Sequence, residues 1–409
     1  MTTHEDRLAS REHIELVEHY SARNYAPLPV VIAEGEGCWV IDVDGRRYLD
    51  MLAAYSALNF GHRHPEVVAA AKEQLDRLTL TSRAFHSDQI GPFLRDLAEL
   101  CDMEMALPMN SGAEAVETAL KVARKWGYRV KGVPSGRAKI VVCDGNFHGR
   151  TITIDGFSSD EDSKRDFEPH TPGFVSIPFG DADALAAALD EDTVAFLVEP
   201  IQGEAGVIVP PDGYLRRARE LCTERNVLLI ADEIQTGLGR TGTTFAVEHE
   251  GVRPDMVLLG KALAGGVVPL SAVVADEPVL GVLKPGQHGS TFGGNPFACA
   301  IGRRVIAMLR TGEYQENSRE LGDYLLKTLR EADLPTVQEV RGRGLWAGIQ
   351  LVPEARPAKR TAERLLEEGV LAKDTQETTI RLAPPLVITR EELDWALERI
   401  ISVLASTGR

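Results

Sequence analysis

Lys261 is the only charged residue between Met256 and Ala275, a stretch otherwise made of apolar and small residues. An ammonium with a reference pKa near ~10.4 is costly to keep charged in such surroundings. Either its flexible stem carries the amine to the surface, or the residue is a catalytic amine that forms a Schiff base and gains nucleophilicity from desolvation. Upstream, the run Val227–Ala231 ends in Asp232-Glu233, which puts two carboxylates at the carboxyl end of a buried strand. Open α/β sheets bind ligands at that edge, although a solvated strand-end acid is the plain alternative. With a lysine at the end of the next strand, Asp232 gains a specific job. An aspartate beside a pyridinium nitrogen keeps it protonated, and the ring can then accept electrons from a carbanion.

Asn110-Ser111-Gly112-Ala113-Glu114 precedes the periodic apolar set Val116, Leu120 and Ala123. Ser111 with Glu114 makes a capping box, and Gly112 lets a ligand approach the backbone. Such a helix start offers free N–H groups and partial positive charge to an anion, although many helices begin this way without one. Ser290–Pro296 is a second polar, glycine-rich turn that can add donors. Gly237-Leu-Gly239-Arg-Thr-Gly242 matches G-x-G-x-x-G literally. It lacks the tight turn directly after a strand, the long helix that should follow and the acid further on, so a nicotinamide site is disfavoured.

Positioning these groups requires an α/β frame, and the sequence supplies one. Buried-strand runs at Lys139–Cys143, Thr193–Val198, Val227–Ala231, Met256–Leu259 and Leu270–Ala275 alternate with helical spacing at Asp181–Leu189 and Tyr214–Arg225. That alternation predicts a mostly parallel sheet covered on both faces. Near the N-terminus, Asp44-Gly45 between Cys38–Val43 and Arg46–Asp50 predicts a hairpin whose two turn residues both tolerate positive φ. Strands return at Val337–Leu351 and Thr379–Leu382, and Thr389 with Glu392 predicts a capping box opening a last helix. The expected division is an N-terminal segment 1–55 belonging to a small domain, a large α/β domain 56–285, and a C-terminal part 286–409 completing the small α+β domain.

Composition narrows the class. With 409 residues, 44% hydrophobic and 26% charged, the chain reads as globular, and its net charge of −16 removes any bulk attraction to phosphate backbones. The five cysteines, Cys38, Cys101, Cys143, Cys222 and Cys299, are scattered and never form C-x-x-C, which suits reduced thiols better than disulfides or zinc. His4, Glu5, Asp6 and Arg7 fit neither a secretory signal nor a transit peptide. Met256–Ala275, the nearest approach to a membrane span, contains Lys261, Gly265-Gly266 and Pro269, so no span and a cytoplasmic protein are expected.

Several blocks, read together, carry a resemblance. They are Asn24–Val30, Asp50 through Gly61-His62-Arg63-His64-Pro65, Asn110–Ala115, Asn146-Phe147-His148-Gly149-Arg150, Glu199–Glu204, Asp232–Gln235, Gly260-Lys261, Ser290–Pro296 and Arg381–Pro385. The sequence resembles the class III pyridoxal-phosphate aminotransferases of fold type I, and within them the ornithine-type members, over nearly its whole length. The resemblance implies that Lys261 holds the cofactor and shuttles the proton, Asp232 pairs with the ring nitrogen and Gln235 bonds the ring hydroxyl. It also implies that Phe147 stacks on the ring, and that Ser111, Gly112 and Ala113 seat the phosphate with Thr291 of the second subunit. Tyr25, Tyr55 and Arg150 match the residues that hold the α-amino and α-carboxylate end of ornithine. Tyr55 is the most discriminating, because acetylornithine-type relatives usually carry a small or aliphatic residue there. Arg381 matches the arginine that grips 2-oxoglutarate, Glu204 the residue that covers it, and Glu199 a supporting acid.

The chain departs from that pattern at Ser158–Asp166, which is strongly acidic and is followed by Phe167-Glu168-Pro169 where relatives have Phe-Gly-Pro. This puts the loop geometry in question and leaves the chemistry alone. The implied activity is transfer of the δ-amino group of L-ornithine to 2-oxoglutarate by a homodimer or dimer of dimers. Acetylornithine or 4-aminobutyrate aminotransfer and a silent cofactor-binding protein are the alternatives.

Overall fold

A computed structural model describes residues 8–355 and 357–406, so His4–Arg7, on which the reading of the extreme N-terminus rests, lie outside the described residues. Strands β1 (Ile32–Glu36), β2 (Trp39–Asp42) and β3 (Arg47–Asp50) form an antiparallel meander. The hairpin falls where Asp44-Gly45 predicts it, but the turn is not the expected one. Only Gly45 takes a positive φ, 86°. The Asp42 carboxylate accepts the amides of Asp44 and Arg46 at 3.0 and 2.8 Å, and this side-chain cap widens the loop so that Asp44 need not enter the left-handed region.

The apolar runs become one seven-stranded sheet: β4 (Met105–Met109), β5 (Lys139–Cys143), β6 (Phe174–Ile177), β7 (Thr193–Val198), β8 (Leu228–Asp232), β9 (Met256–Leu259) and β10 (Ser271–Ala275). Their order is β4-β10-β9-β8-β7-β5-β6. Only β10 runs against the others, antiparallel to both β4 and β9. Successive side chains enter opposite cores. Val141, Phe196, Leu229 and Val257 pack under helices 65–75, 90–100, 214–224 and 296–309. Ile140, Leu197, Ile230 and Leu258 pack under helix 112–126. Burial on both faces is why these strands read as continuous apolar runs. Helix Pro296–Leu309 belongs to this large core although it lies beyond residue 285.

Met256–Ala275 holds β9, a short helical turn at Lys261–Ala264 and β10; among the described residues no helix is long and apolar enough to cross a membrane. All five cysteines are buried and free.

The predicted run Val337–Leu351 breaks into β11 (Val337–Gly342) and β12 (Ala347–Leu351). After β13 (Val370–Leu371) come β14 (Lys373–Thr375) and β15 (Thr379–Leu382), giving a second sheet in the order β11-β12-β15-β14. β13 instead pairs in parallel with β3, so both ends of the chain share one core, where Leu49 and Met51 meet Ile349, Ile380 and Leu397. The final helix opens with the expected capping box, the Thr389 amide donating to Glu392 at 3.0 Å and the Glu392 amide to Thr389 Oγ1 at 3.2 Å.

Candidate active site

Five strands that run the same way end at one edge of the large sheet, and each delivers a polar group there. β4 leads into the helix starting at Gly112, β5 into Phe147 and His148, β7 into Glu199, β8 ends at Asp232, and β9 leads to Lys261. Together with Ala113, Gly149, Ile234, Gln235 and Thr236 these line a cavity of about 190 Å³.

At the helix start, Ser111 Oγ accepts the Glu114 amide at 3.2 Å and the Glu114 carboxylate accepts the Ser111 amide at 2.7 Å, the predicted reciprocal cap. Gly112 and Ala113 occupy the first two helical positions, whose amides have no intrahelical carbonyl to bond and point toward an incoming anion. The loop beyond Phe147 closes against them. Gly149 has a φ of 131°, and a Cβ there would come within 2.7 Å of the Ala113 Cβ, so only glycine permits the approach.

Asp232 is fixed from two sides. Its Oδ2 meets His148 Nδ1 at 2.6 Å and its Oδ1 accepts the Ile234 amide at 3.1 Å. Burial opposes a charge on His148, but the hydrogen bond and charge of Asp232 outweigh it and raise the imidazole's proton affinity. Glu199 takes the amides of Phe147 and Gly203 at 2.9 and 3.2 Å; burial holds its carboxyl up to about 7. Lys261 is lowered to about 8, chiefly by burial, with Glu204, Asp232 and Glu199 pulling the other way and Arg381 adding to the fall. The amine therefore gives up its proton more readily than an exposed lysine does.

A second cluster adjoins the first. Arg381 lies buried on β15 with its Nη1 2.7 Å from the Glu204 carboxylate and its guanidinium carbon 5.0 Å from the centre of the Tyr55 ring. Its Nε is buried and has no hydrogen-bond partner among the described residues. Tyr55 arrives on a left-handed turn, Ala53–Ser56, a conformation that costs an L-residue roughly 1–2 kcal/mol.

The structure thus gathers Lys261, Asp232, Gln235, Phe147, Gly112, Ala113 and Glu199 around one cavity, and Glu204, Arg381 and Tyr55 beside it. It does not bring Tyr25 or Thr291 into that cavity: both are exposed. Arg150 sits at the rim, its guanidinium 5.2 Å from the Phe147 ring and 3.8 Å from both Asp155 and Asp160. Sequence reasoning missed His148, Gly149, Ile234 and Thr236 as lining groups. His148 was within reach, since it directly follows Phe147 beyond a buried strand. The G-x-G-x-x-G match proves structural: no long helix follows it, and Arg240 is buried, donating to the carbonyls of Leu345 and Pro384 and to Asn59 Oδ1.

A strand-end lysine and aspartate facing an anion seat at a helix start, on a mostly parallel sheet, define a pyridoxal-phosphate enzyme of fold type I. The chain belongs to the class III aminotransferases, whose family model matches residues 20–404. It is 55% identical to the ornithine aminotransferase of Bacillus subtilis over 97% of this chain and 98% of that one. The structure of the ornithine aminotransferase from Toxoplasma gondii superposes with a TM-score of 0.97 at 46% identity, covering 98% of this chain and 95% of that one. That of an acetylornithine aminotransferase from Elizabethkingia anophelis gives 0.88 at 45% identity, over 97% and 99%. Class III aminotransferases use pyridoxal 5′-phosphate, and the donor set fits it: two free amides for a phosphate, a flat apolar face at Phe147, a buried carboxylate and an amine of lowered pKa.

Proposed function

We propose that this aminotransferase moves the δ-amino group of L-ornithine to 2-oxoglutarate, giving glutamate 5-semialdehyde, which cyclises, and glutamate. The observation that carries this reading is Arg381 paired with Glu204 at 2.7 Å and faced by the Tyr55 ring, in a chain so similar to ornithine aminotransferases. When bound, pyridoxal phosphate supplies an electron sink for the carbon that loses a proton. Gly112 and Ala113 amides, behind the cap made by Ser111, would hold its phosphate together with the partner subunit's Thr291. Phe147 would cover the ring, Gln235 would bond its hydroxyl, and Asp232, kept in place by His148, would hold the proton on its nitrogen. Lys261 would anchor the group through its amine and carry the proton between the two reacting carbons.

Glu204 lets one pocket serve two substrates. With a δ-amine donor it stays on Arg381 and neutralises it. A dianionic oxo acid displaces it and takes the guanidinium in two parallel hydrogen bonds. Tyr55 and Arg150 would hold the distal ammonium and carboxylate of ornithine, with Glu199 supporting Phe147 and Gly203. Tyr25 joins them on resemblance alone. The reading includes a homodimer or dimer of dimers in the cytoplasm, built from a large part around the seven-stranded sheet and a small part from both chain ends.

The likeness to the Elizabethkingia anophelis structure favours acetylornithine as the second reading. Donor profiling with saturating 2-oxoglutarate decides between them. Ornithine should exceed acetylornithine and 4-aminobutyrate in kcat/KM by more than about tenfold, some 1.4 kcal/mol of transition-state discrimination; a preference for either rival overturns the reading.

A further inference from the structure

The chain reverses its handedness where it presents Tyr55. Ala53, Ala54, Tyr55 and Ser56 hold φ values of 48°, 47°, 57° and 70°, four left-handed residues in succession without a glycine. Each Cβ is crowded there, and such a turn persists only where surrounding contacts over-determine it.

Those contacts form two clamps. Before the turn, buried Asp50 accepts the amides of Leu52 and Ala53 on Oδ1 at 2.9 and 2.8 Å, while its Oδ2 meets His62 Nε2 at 2.8 Å. His62 is itself fixed by reciprocal backbone bonds to Gly37 at 3.0 and 2.8 Å. After the turn, buried Asn59 accepts the Leu386 amide on its carbonyl at 2.6 Å and Arg240 Nη2 on Oδ1 at 2.6 Å, and Arg240 also binds the Pro384 carbonyl. The Met51 carbonyl accepts the Ala383 amide at 2.7 Å. Both ends of the turn are thus referred to residues 383–386, the segment that follows the strand carrying Arg381.

We propose that Asp50, braced by His62, is a positioning residue for donor choice: it holds the left-handed turn Ala53–Ser56 and thereby keeps Tyr55 against Arg381. This rests on the reading of Tyr55 as a donor-end residue. Asp50 touches neither the cavity nor the reacting groups. Without its carboxylate the two amides lose their acceptor, the turn relaxes toward right-handed backbone, and the phenol leaves the ornithine end. Cofactor binding and proton transfer at Lys261 are untouched.

The test uses the holoenzyme. Asp50→Ala should lower ornithine kcat/KM about tenfold, mostly through KM, with 4-aminobutyrate use maintained or raised and the cofactor's absorbance spectrum unchanged. Adding Ala54→Gly to that variant should restore much of the ornithine preference, because glycine enters the left-handed region without a Cβ penalty. A merely structural role would depress both donors together and would not respond to the glycine. If Asp50→Ala does not fold, His62→Ala is read instead and should shift the donor ratio in the same direction. A ratio unchanged from wild type, or equal loss of both donors, overturns the inference. Ornithine unused by wild type overturns the donor reading and the inference with it, whereas ornithine preferred equally by wild type and variant overturns the inference alone.

Discussion

His148 Nδ1 lies 2.6 Å from Asp232 Oδ2 in the wall of the cavity, and the other ring nitrogen has no hydrogen-bond partner among the described residues. Asp232 is therefore the contact that compensates burial of this imidazole, and it lifts the proton affinity above the ordinary 6.5. A group whose folded pKa is raised stabilises the fold fully below its unfolded pKa, and that stabilisation is lost as pH rises through the folded value. The Tm gap between wild type and His148→Gln should be widest near about pH 6 and narrow at alkaline pH. Melting curves across that range check it, and a gap that widens with pH would contradict the pairing.

Lys261 carries the second prediction. Lys261→Ala should abolish transamination while the cofactor still binds through the helix start and the Phe147 face. In wild-type apoprotein, covalent attachment of the cofactor needs the free amine, so its rate should climb with pH and level off above about 8, not near 10.5. Stopped-flow absorbance on apoprotein would show this, and a rate still rising steeply at pH 10 would mean the amine is not desolvated.

Arg381 and Glu204 make the third. Arg381→Lys should slow the 2-oxoglutarate half-reaction by about a hundredfold and the ornithine half-reaction far less, since an ammonium cannot offer the planar fork. Glu204→Ala should leave the arginine uncovered and improve α-amino donors such as glutamate. Single-turnover measurement of each half-reaction separates the two; equal losses in both halves would refute the covering role.

Tyr55 supplies the fourth. Tyr55→Ile would leave the charged α-ammonium of ornithine facing an apolar wall, a penalty of about 1–3 kcal/mol, so ornithine kcat/KM should fall roughly 10–100-fold. Use of 4-aminobutyrate, which has no distal ammonium, should rise. Both donors are measured on both proteins, and an unchanged ratio would remove Tyr55 from the donor end.

Legibility in the sequence tracked burial. β5, β7 and β9 coincide with their apolar runs because both faces are covered, whereas β4 and β6 were not foreseen. These two are the sheet's edges and are only partly buried, so no continuous apolar run marks them, and Pro108 further disguises β4. Lys261 and Asp232 were legible because a charge beside a buried run is conspicuous. The turn at Ala53–Ser56 was not, for Ala-Ala-Tyr-Ser carries no left-handed signature, and the contacts flanking it, from Asp50 to the amides of Leu52 and Ala53 and from residues 383 and 386 to Met51 and Asn59, leave no local pattern. His148 paired with Asp232 across a long sequence separation, which no local pattern encodes.

The parallel pairing of β3 with β13, and the core that Leu49 and Met51 share with Leu397, also set an order of assembly. On the ribosome all seven strands of the large sheet exist once Ala275 has emerged, and with them every residue that lines the cavity from Gly112 to Lys261. Leu49 and Met51 must wait for the end of the chain, as must the turn that carries Tyr55. The turn whose tyrosine is proposed to read the donor is thus completed only when the first and final stretches of the chain meet.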